Sequence, residues 1–178
     1  ISSTMVSAQT VLTFNQWIPS AHHFHAKIMK PWADKVAQVT DGRVVVEFTA
    51  ASLGAPSRQF DLALNGIVQI ATSNQSYTRE RFTLATFAEM PFLAQNAEAL
   101  SVANWRVTQN HPELIAEYEG TKLLTVFSNG GAHIFTRSKP IRTLEDTKGL
   151  KFRSSSGLPG TVVQLLDGVP IGAPVTEG

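Results

Sequence analysis

Arg153 is the residue whose chemistry most needs an explanation. It lies near the end of RTLEDTKGLKFRSS (residues 142–155), which predicts a short capped helical turn, a glycine and then a strand. Arginine keeps its charge at every accessible pH, so an arginine beside the apolar Leu150 and Phe152 needs an anionic partner. Two kinds of partner are open: a ligand carboxylate or one of the chain's own acids. The candidate acids are Glu145, Asp146 and Asp167.

Several polar and aromatic residues follow predicted strands and could complete a site for a small organic acid. In an open α/β sheet, ligands gather where loops converge at the carboxyl ends of the strands. Arginine grips a carboxylate with two parallel hydrogen bonds, while an aromatic ring covers the carbon skeleton. A tryptophan near a helix start is also typical of a core or staple residue, and that alternative stays open for Trp17. The candidate ligand contacts are Arg153, His133, Asn74, Trp17, Gln75, Tyr77 and Ser155.

The histidines of HHFH (residues 22–25) do not form a convincing metal site. Only His22 and His25 are three residues apart, no acidic third ligand is evident, and no helical His-Glu-x-x-His motif occurs. We therefore predict no metal, and the chain has no phosphate-binding loop pattern that would indicate a nucleotide cofactor. We predict no cofactor of any kind.

Catalysis is not required by any motif in the chain. A G-x-S-x-G nucleophile elbow is absent, and no paired carboxylates stand at helical spacing in a predicted loop. We predict no catalytic residues and no enzyme activity. A hydrolase-like enzyme that uses His133 with a serine next to Arg153 is the less favoured alternative.

Composition excludes several classes of protein. The 178 residues are 43% hydrophobic with a formal net charge of +1, which allows a substantial core and gives no general attraction to nucleic acid. No apolar run is long enough to cross a bilayer, and the absence of cysteine excludes disulfides and thiol chemistry. The stretch MVSA (residues 5–8) has small residues spaced as at a signal-peptidase site. We interpret residues 1–8 as a remnant of an export signal.

Predicted strands alternate with predicted helices at lengths suited to β-α-β crossovers, so the fold class is α/β. The run of Arg79, Glu80 and Arg81 is typical of a solvated surface. Strands are predicted at residues 11–14, 43–48, 67–71, 122–127, 133–136, 150–153 and 170–173. Helices are predicted at residues 24–39, 57–64, 97–109, 112–119 and 161–166.

These motifs, in this order and spacing, resemble the substrate-binding proteins of TRAP transporters, the extracytoplasmic solute receptors of the dicarboxylate-binding DctP type. The resemblance extends over nearly all of the chain. It is carried by DGRVVVEF (41–48), LGAPSRQFDLALNGIVQIA (53–71), MPFL (90–93), KPIRTLEDTKGLKFR (139–153) and GVPIGAPVTE (168–177).

The resemblance implies a fold of two α/β lobes that close on a hinge around the ligand, as in periplasmic binding proteins. We expect residues 1–130 to form the first lobe and residues 131–178 to begin a second lobe that is incomplete. In the family, a G-x-K-x-R strand ends in the arginine that holds the ligand carboxylate, which here corresponds to Gly149, Lys151 and Arg153.

The other site residues follow the same correspondence. His133 stands at a position, twenty residues upstream of the arginine, that is commonly basic in the family. First-lobe contacts of the family fall near Trp17 and Asn74, and we expect Tyr77 to help shield the ligand. An aromatic residue and an amide, rather than further charges, favour a monocarboxylate with an apolar or aromatic body.

The resemblance therefore implies a periplasmic receptor that captures an organic acid and delivers it to the membrane subunits of a TRAP transporter. Neither nucleic-acid binding nor direct membrane insertion is expected. A sensor that uses the same pocket without transport is the second alternative.

Overall fold

The computed structural model describes residues 8–93, 95–154 and 157–173. Ser155, one of the predicted ligand contacts, and nearly all of the predicted signal remnant lie outside the described residues. The chain divides into two compact units, Ile1–Ser73 and Asn74–Gly178, and each is described by itself. This division does not test the lobe boundary predicted at residue 130, which stays a prediction.

The first unit is built around a parallel three-stranded sheet. Its strands are β1 (Thr10–Asn15), β2 (Val44–Phe48) and β3 (Ile70–Ala71), and β1 lies between the other two. Helix α1 (Lys30–Val39) connects β1 to β2, and helix α2 (Gln59–Leu64) connects β2 to β3. Parallel neighbours need such crossovers, so the alternation predicted from the sequence is confirmed here.

Phe14 stands at the centre of the hydrophobic core of this unit. It lies opposite Phe48 on one side and Ile70 on the other in the strand register. Its ring stacks on Phe48 at 5.0 Å between centroids and meets the edge of Trp32 at 6.2 Å. Such aromatic pairs add specific geometry to the burial of apolar surface. The buried members of this core are Phe14, Ile18, Met29, Ala33, Val46 and Ile70.

The helix predicted at residues 24–39 is present, but its first turn is wider than an α-helix. A π-helical turn, His25–Met29, precedes α1, and Lys30 donates its backbone N–H to the carbonyl of His25. Pro31 follows at once and has no N–H to donate. The wider turn thus occurs where the regular hydrogen-bond pattern is interrupted.

Strand β3 is shorter than the five residues predicted because the end of α2 uses the backbone of the first two. Gly66 adopts φ +68° and donates to Ala63, while Ile67 donates to Leu62, which together form a Schellman motif. Val68 also donates to the carbonyl of Leu62. Hydrogen bonding to β1 begins only at Gln69, which donates its backbone N–H to the carbonyl of Thr13 at 3.1 Å, and the paired register starts at Ile70.

The second unit starts with short helical turns and a helical pair. Asn96 caps the first helix by accepting a hydrogen bond from the backbone N–H of Ala99 at 3.0 Å, as expected for asparagine at that position. The predicted helix 97–109 is confirmed, and the predicted helix 112–119 is present in shortened form. The elements are two 3₁₀ turns (Gln75–Tyr77 and Ala85–Glu89), α3 (Ala97–Asn110) and α4 (Pro112–Ala116).

A complete β-α-β unit follows. A 3₁₀ turn, Leu144–Thr147, precedes β4 (Lys151–Ser154), which pairs in parallel with β5 (Val169–Gly172) across helix α5 (Leu158–Leu165). The capping box predicted at TLED is present, with Thr143 and Asp146 bonded reciprocally. The strand, helix and strand predicted in this part of the sequence are confirmed.

The strands predicted at residues 122–127 and 133–136 are wrong. No residue between Lys122 and Thr136, all of which are described, is assigned to a strand. A β-rich segment becomes a strand only where a neighbouring strand offers backbone hydrogen bonds. This segment instead contacts α3, where Ser101 Oγ accepts from the backbone N–H of Ser128 at 2.9 Å and Val126 is buried.

A buried polar cluster fixes the loop after β2. Asn15, at the end of β1, donates to Gln59 Oε1 at 2.6 Å and accepts from Thr49 and from the backbone N–H of Leu53. Gln59 in turn donates to the carbonyl of Gly54 at 3.0 Å. Both Asn15 and Gln59 are fully buried, so each lost bond would leave a polar group without water.

We expect Asn15→Ala to lower the free energy of unfolding by about 1–3 kcal/mol, because it leaves the buried Oε1 of Gln59 unpaired and removes the acceptor of Thr49 and Leu53. Asn110→Ala is the matched control, since it removes an amide whose hydrogen bond to the Arg106 carbonyl is exposed. Urea unfolding of both variants measures the difference. Equal stability of the two variants would contradict the role given to the cluster.

Candidate functional site

Arg153 lies on the open face of β4. Successive side chains of a strand point to opposite faces, and here Phe152 and Ser154 face α5. A Cβ placed on Gly168, just after α5, would lie 2.7 Å from the Phe152 ring, and one placed on Gly160 would lie 3.8 Å from Ser154 Oγ. Arg153, between them in the strand, points the other way and is exposed. Its guanidinium is therefore available to a ligand at the carboxyl end of β4.

The chain's own acids do not neutralise Arg153 within the described ranges. Asp146 accepts the backbone N–H groups of Arg142 and Thr143, and it forms a 3.2 Å salt bridge with Lys139. Neither Glu145 nor Asp167 forms a salt bridge with Arg153 among these residues. The salt bridge within the protein is thus not seen in these ranges, and a role for Arg153 toward a ligand carboxylate stays a prediction.

Asn74, Gln75 and Tyr77 share one short turn directly after the first unit. Asn74 accepts hydrogen bonds through Oδ1 from the backbone N–H of Ser76 at 3.0 Å and from its hydroxyl at 2.6 Å. This bonding directs the oxygen inward and leaves the amide NH₂ as the group that can donate to a ligand. Asn74 can thus contribute the neutral donor expected of it.

Gln75 has a structural hydrogen bond in this structure. Its amide donates to the hydroxyl of Tyr118 at 2.8 Å, and the Tyr118 ring packs against the buried Phe82 at 5.1 Å. Burial raises the pKa of Tyr118, and the bond from Gln75 acts in the opposite direction. A role for Gln75 in ligand binding stays a prediction, as it does for Tyr77.

His133 lies in the irregular segment before the last β-α-β unit. Its side chain is exposed, and its ring meets that of Phe135 edge to face at 6.4 Å. Among the described residues it forms no hydrogen bond with a serine, so the nucleophile and base of the enzyme alternative are not paired there. The structure does not bring His133 into contact with Arg153 in that part of the chain.

Trp17 lies in the first unit and packs against its hydrophobic core while remaining half-buried. This position agrees with the core interpretation and leaves part of the ring accessible, so its role toward a ligand stays a prediction. Nearby, Nε2 of Gln16 lies 2.8 Å from Nδ1 of His25. No group of three potential metal ligands is found among the described residues.

Arg79 is exposed, as expected of a solvated charge run, and its side chain also lies over Gly157, just before α5. A Cβ on Gly157 would lie 2.8 Å from Arg79 Cδ and 2.9 Å from Nε. The charge of Arg79 also lowers the pKa of Glu89, although burial is the larger effect and raises it. No local signal in the sequence could have paired residues so far apart.

One groove of about 400 Å³ runs along α3, and it is not the predicted site. None of the predicted ligand contacts lines it. Its wall includes two charged residues, Glu98 and Arg106, and the apolar Val102. The chemistry at the end of β4 is thus separate from this depression.

The accessible groups at the end of β4 and in the turn after Ser73 are chiefly donors. A guanidinium and an amide can bind an acid headgroup, and neither is a nucleophile or a general base at neutral pH. This α/β fold, with donors at the carboxyl end of a parallel strand, defines a solute-binding protein of the periplasmic kind.

The chain belongs to the bacterial extracellular solute-binding protein family 7 (DctP), whose family model matches residues 14–177. It is 32% identical over 147 residues to the outer membrane transporter protein TsaT of Comamonas testosteroni. The aligned residues cover 83% of this chain and 44% of that protein. The fold class and family expected from the sequence are confirmed.

Solved structures of TRAP solute-binding proteins agree with the assignment. The protein from Bordetella bronchiseptica, with bound (R)- and (S)-mandelate, is 30% identical with a TM-score of 0.89. The match covers 94% of this chain and 53% of that protein's chain. The protein from Rhodoferax ferrireducens, with benzoate, is 31% identical with a TM-score of 0.88 over 94% of this chain and 52% of its own. A marine metagenome protein with 3-hydroxybenzoate is 31% identical with a TM-score of 0.87, over 95% and 53%. The chain spans about half the length of these relatives.

The capping box before β4 gives a pH-dependent prediction. Hydrogen bonds from the backbone of Arg142 and Thr143 are the main cause that lowers the pKa of Asp146 to about 2. A carboxyl whose pKa is depressed by folding stabilises the protein above its unfolded pKa and loses that contribution as the pH falls through its folded value.

We therefore expect Asp146→Ala to be less stable than the parent at neutral pH, with the difference disappearing as the pH falls from about 4 to about 2. Thermal unfolding as a function of pH measures this difference. Glu145→Ala, on the same turn, removes a carboxylate that accepts none of these bonds and serves as control. If the stability difference between Asp146→Ala and the parent does not depend on pH in this range, the lowered pKa of Asp146 is refuted.

Proposed function

We propose that this protein captures an organic acid outside the cytoplasm and delivers it to the membrane subunits of a TRAP transporter. The acid is a monocarboxylate with an aromatic or otherwise apolar body. Binding and release are its whole function, and no bond of the ligand is made or broken. Membership of the solute-binding family supports this proposal.

The observation that carries the proposal is the exposed guanidinium of Arg153. It stands at the carboxyl end of a parallel strand, on the face away from α5, and has no acidic partner among the described residues. An arginine offers two parallel N–H donors that match the two oxygens of a carboxylate. A ligand carboxylate is the partner that fits this geometry.

The apolar body of the acid is supported by the relatives. The solved structures that are about 30% identical contain mandelate, benzoate and 3-hydroxybenzoate, each of which joins a carboxylate to an aromatic ring. Trp17 and Tyr77 are the aromatic residues of this chain that we propose to cover such a ring. Asn74 would add a neutral hydrogen bond through its amide NH₂.

The location that we propose is the periplasm, where the family's solute-binding proteins act. Within the described ranges, no helix has the length and apolar character needed to span a membrane. We propose the transporter's membrane subunits as a separate partner because the solute-binding family implies them. The net charge of +1 gives no reason to expect nucleic acid as a ligand.

A thermal-shift screen of organic acids tests the ligand class. We expect benzoate and mandelate to raise the melting temperature more than succinate or malate at equal concentration, because a single fixed cation and aromatic cover suit one carboxylate on an apolar body. Benzyl alcohol, which has the ring without the charge, is the control ligand. A larger shift with succinate or malate would count against the proposed ligand class.

Arg153→Ala tests the carboxylate contact. Removal of one member of a desolvated charge pair costs about 2–5 kcal/mol, so we expect the affinity for the best acid of the screen to fall by that amount. Isothermal titration calorimetry measures it, and Arg142→Ala is the control because it removes an equal charge from an exposed side chain. Undiminished affinity in Arg153→Ala would exclude this arginine as the anchor.

A further inference from the structure

Three groups of hydrogen-bond donors lie at the first turn of α5. The family resemblance did not point to them. Ser154 is 8% exposed, and its hydroxyl oxygen is buried without a hydrogen-bond partner among the described residues. It lies next to Gly160 in that turn, 3.8 Å from the position that a Cβ of this glycine would take. A buried hydroxyl without a partner is costly, so a ligand atom that hydrogen-bonds to it would be stabilised.

The start of α5 supplies the second set of donors. Gly157 precedes the helix with φ +99° and has no side chain that could cap it, and no side-chain cap is found among the described residues. The backbone N–H groups of Leu158 and Gly160 have no carbonyl within the helix to bond, while Pro159 has no N–H. Free amides at a helix start favour an acceptor oxygen.

Arg79 supplies the third group of donors. Its Cδ and Nε would lie 2.8 and 2.9 Å from a Cβ on Gly157, so the guanidinium reaches the helix start only because this residue is glycine. The charge of Arg79 lowers the pKa of Glu89, but no salt bridge between Arg79 and an acid is found among the described residues. A structural ion pair therefore does not account for its position.

Strand geometry separates these donors from Arg153. Ser154 faces α5, whereas Arg153 is on the opposite face of β4. At the same time, four residues of chain span at most about 14 Å, so Gly157 cannot be farther than that from Arg153. A ligand that contacts both places at the end of β4 must therefore do so with two different groups.

We propose that Arg79, Ser154 and the first-turn amides of α5 form a second subsite of the acid-binding site, which recognises an oxygen acceptor separate from the carboxylate held by Arg153. The inference rests on the proposed function and narrows its ligand class to aromatic acids that carry a second oxygen substituent. A hydroxyl or a second carboxylate on the ring would provide the acceptor. Two of its three parts, the guanidinium and the backbone amides, can only donate, so the subsite favours an acceptor oxygen over an ammonium group.

Calorimetric titration of the full-length protein with benzoate, 3-hydroxybenzoate and isophthalate tests the subsite. We expect the parent protein to bind at least one of the two substituted acids about tenfold more tightly than benzoate, the value of one hydrogen bond to a charged group. In Arg79→Ala this preference should fall by about tenfold, and in Ser154→Ala, a small change that keeps the fold, by about threefold. A preference for isophthalate identifies an anionic acceptor, and a preference for 3-hydroxybenzoate identifies a hydroxyl.

The controls keep this inference apart from the function on which it rests. Arg106→Ala removes an equal charge from the exposed face of α3 and should preserve the parent's preference. If the parent binds benzoate as tightly as both substituted acids, or if Arg79→Ala and Ser154→Ala keep the preference, the subsite is refuted while the receptor function stands. If the parent binds none of the three acids, the proposed function and the subsite both fail.

Discussion

The permanent charge of Arg153 is the constraint on which this structure depends. A guanidinium cannot be neutralised by losing a proton, so it must be solvated, paired within the protein or matched by a ligand. The chain places it at the end of β4, on the face that α5 does not cover. Asp146, the acid best placed in sequence to pair with it, is held by the capping box and by Lys139. Among the described residues, Arg153 forms no salt bridge with this acid.

The packing of β4 against α5 also positions the hydrogen-bond donors near Arg153. Phe152 packs against Gly168 and Val163, which fixes the strand against α5 and decides which residues of β4 face the helix. Ser154 is thereby buried beside the helix start, while the side chain of Arg79 lies over Gly157. A Cβ at either Gly157 or Gly168 would collide with these side chains, so the glycines set the spacing of the site.

Much of this architecture was predictable from local patterns. The β-branched segment of β2, the apolar spacing of α1 and the asparagine–glycine end of α2 each predicted the correct element, since strand and helix periods are written in neighbouring residues. The motif that ends in Arg153 predicted the strand, whereas the role of its cation toward a ligand stays a prediction. The prediction failed for residues 122–136, which pair with no strand among the described residues and contact α3 through the bond between Ser128 and Ser101.

The sequence by itself determined the α/β class, the family and the identity of the cation at the end of β4, because order and spacing of short motifs are one-dimensional properties. Only the tertiary structure decided that Gln75 bonds to Tyr118, that Trp17 rests on the core, and that the exposed side chain of Arg79 lies over Gly157. Those contacts join residues that are distant along the chain. Their partners are selected by packing and backbone direction, which no local spacing of residue types records.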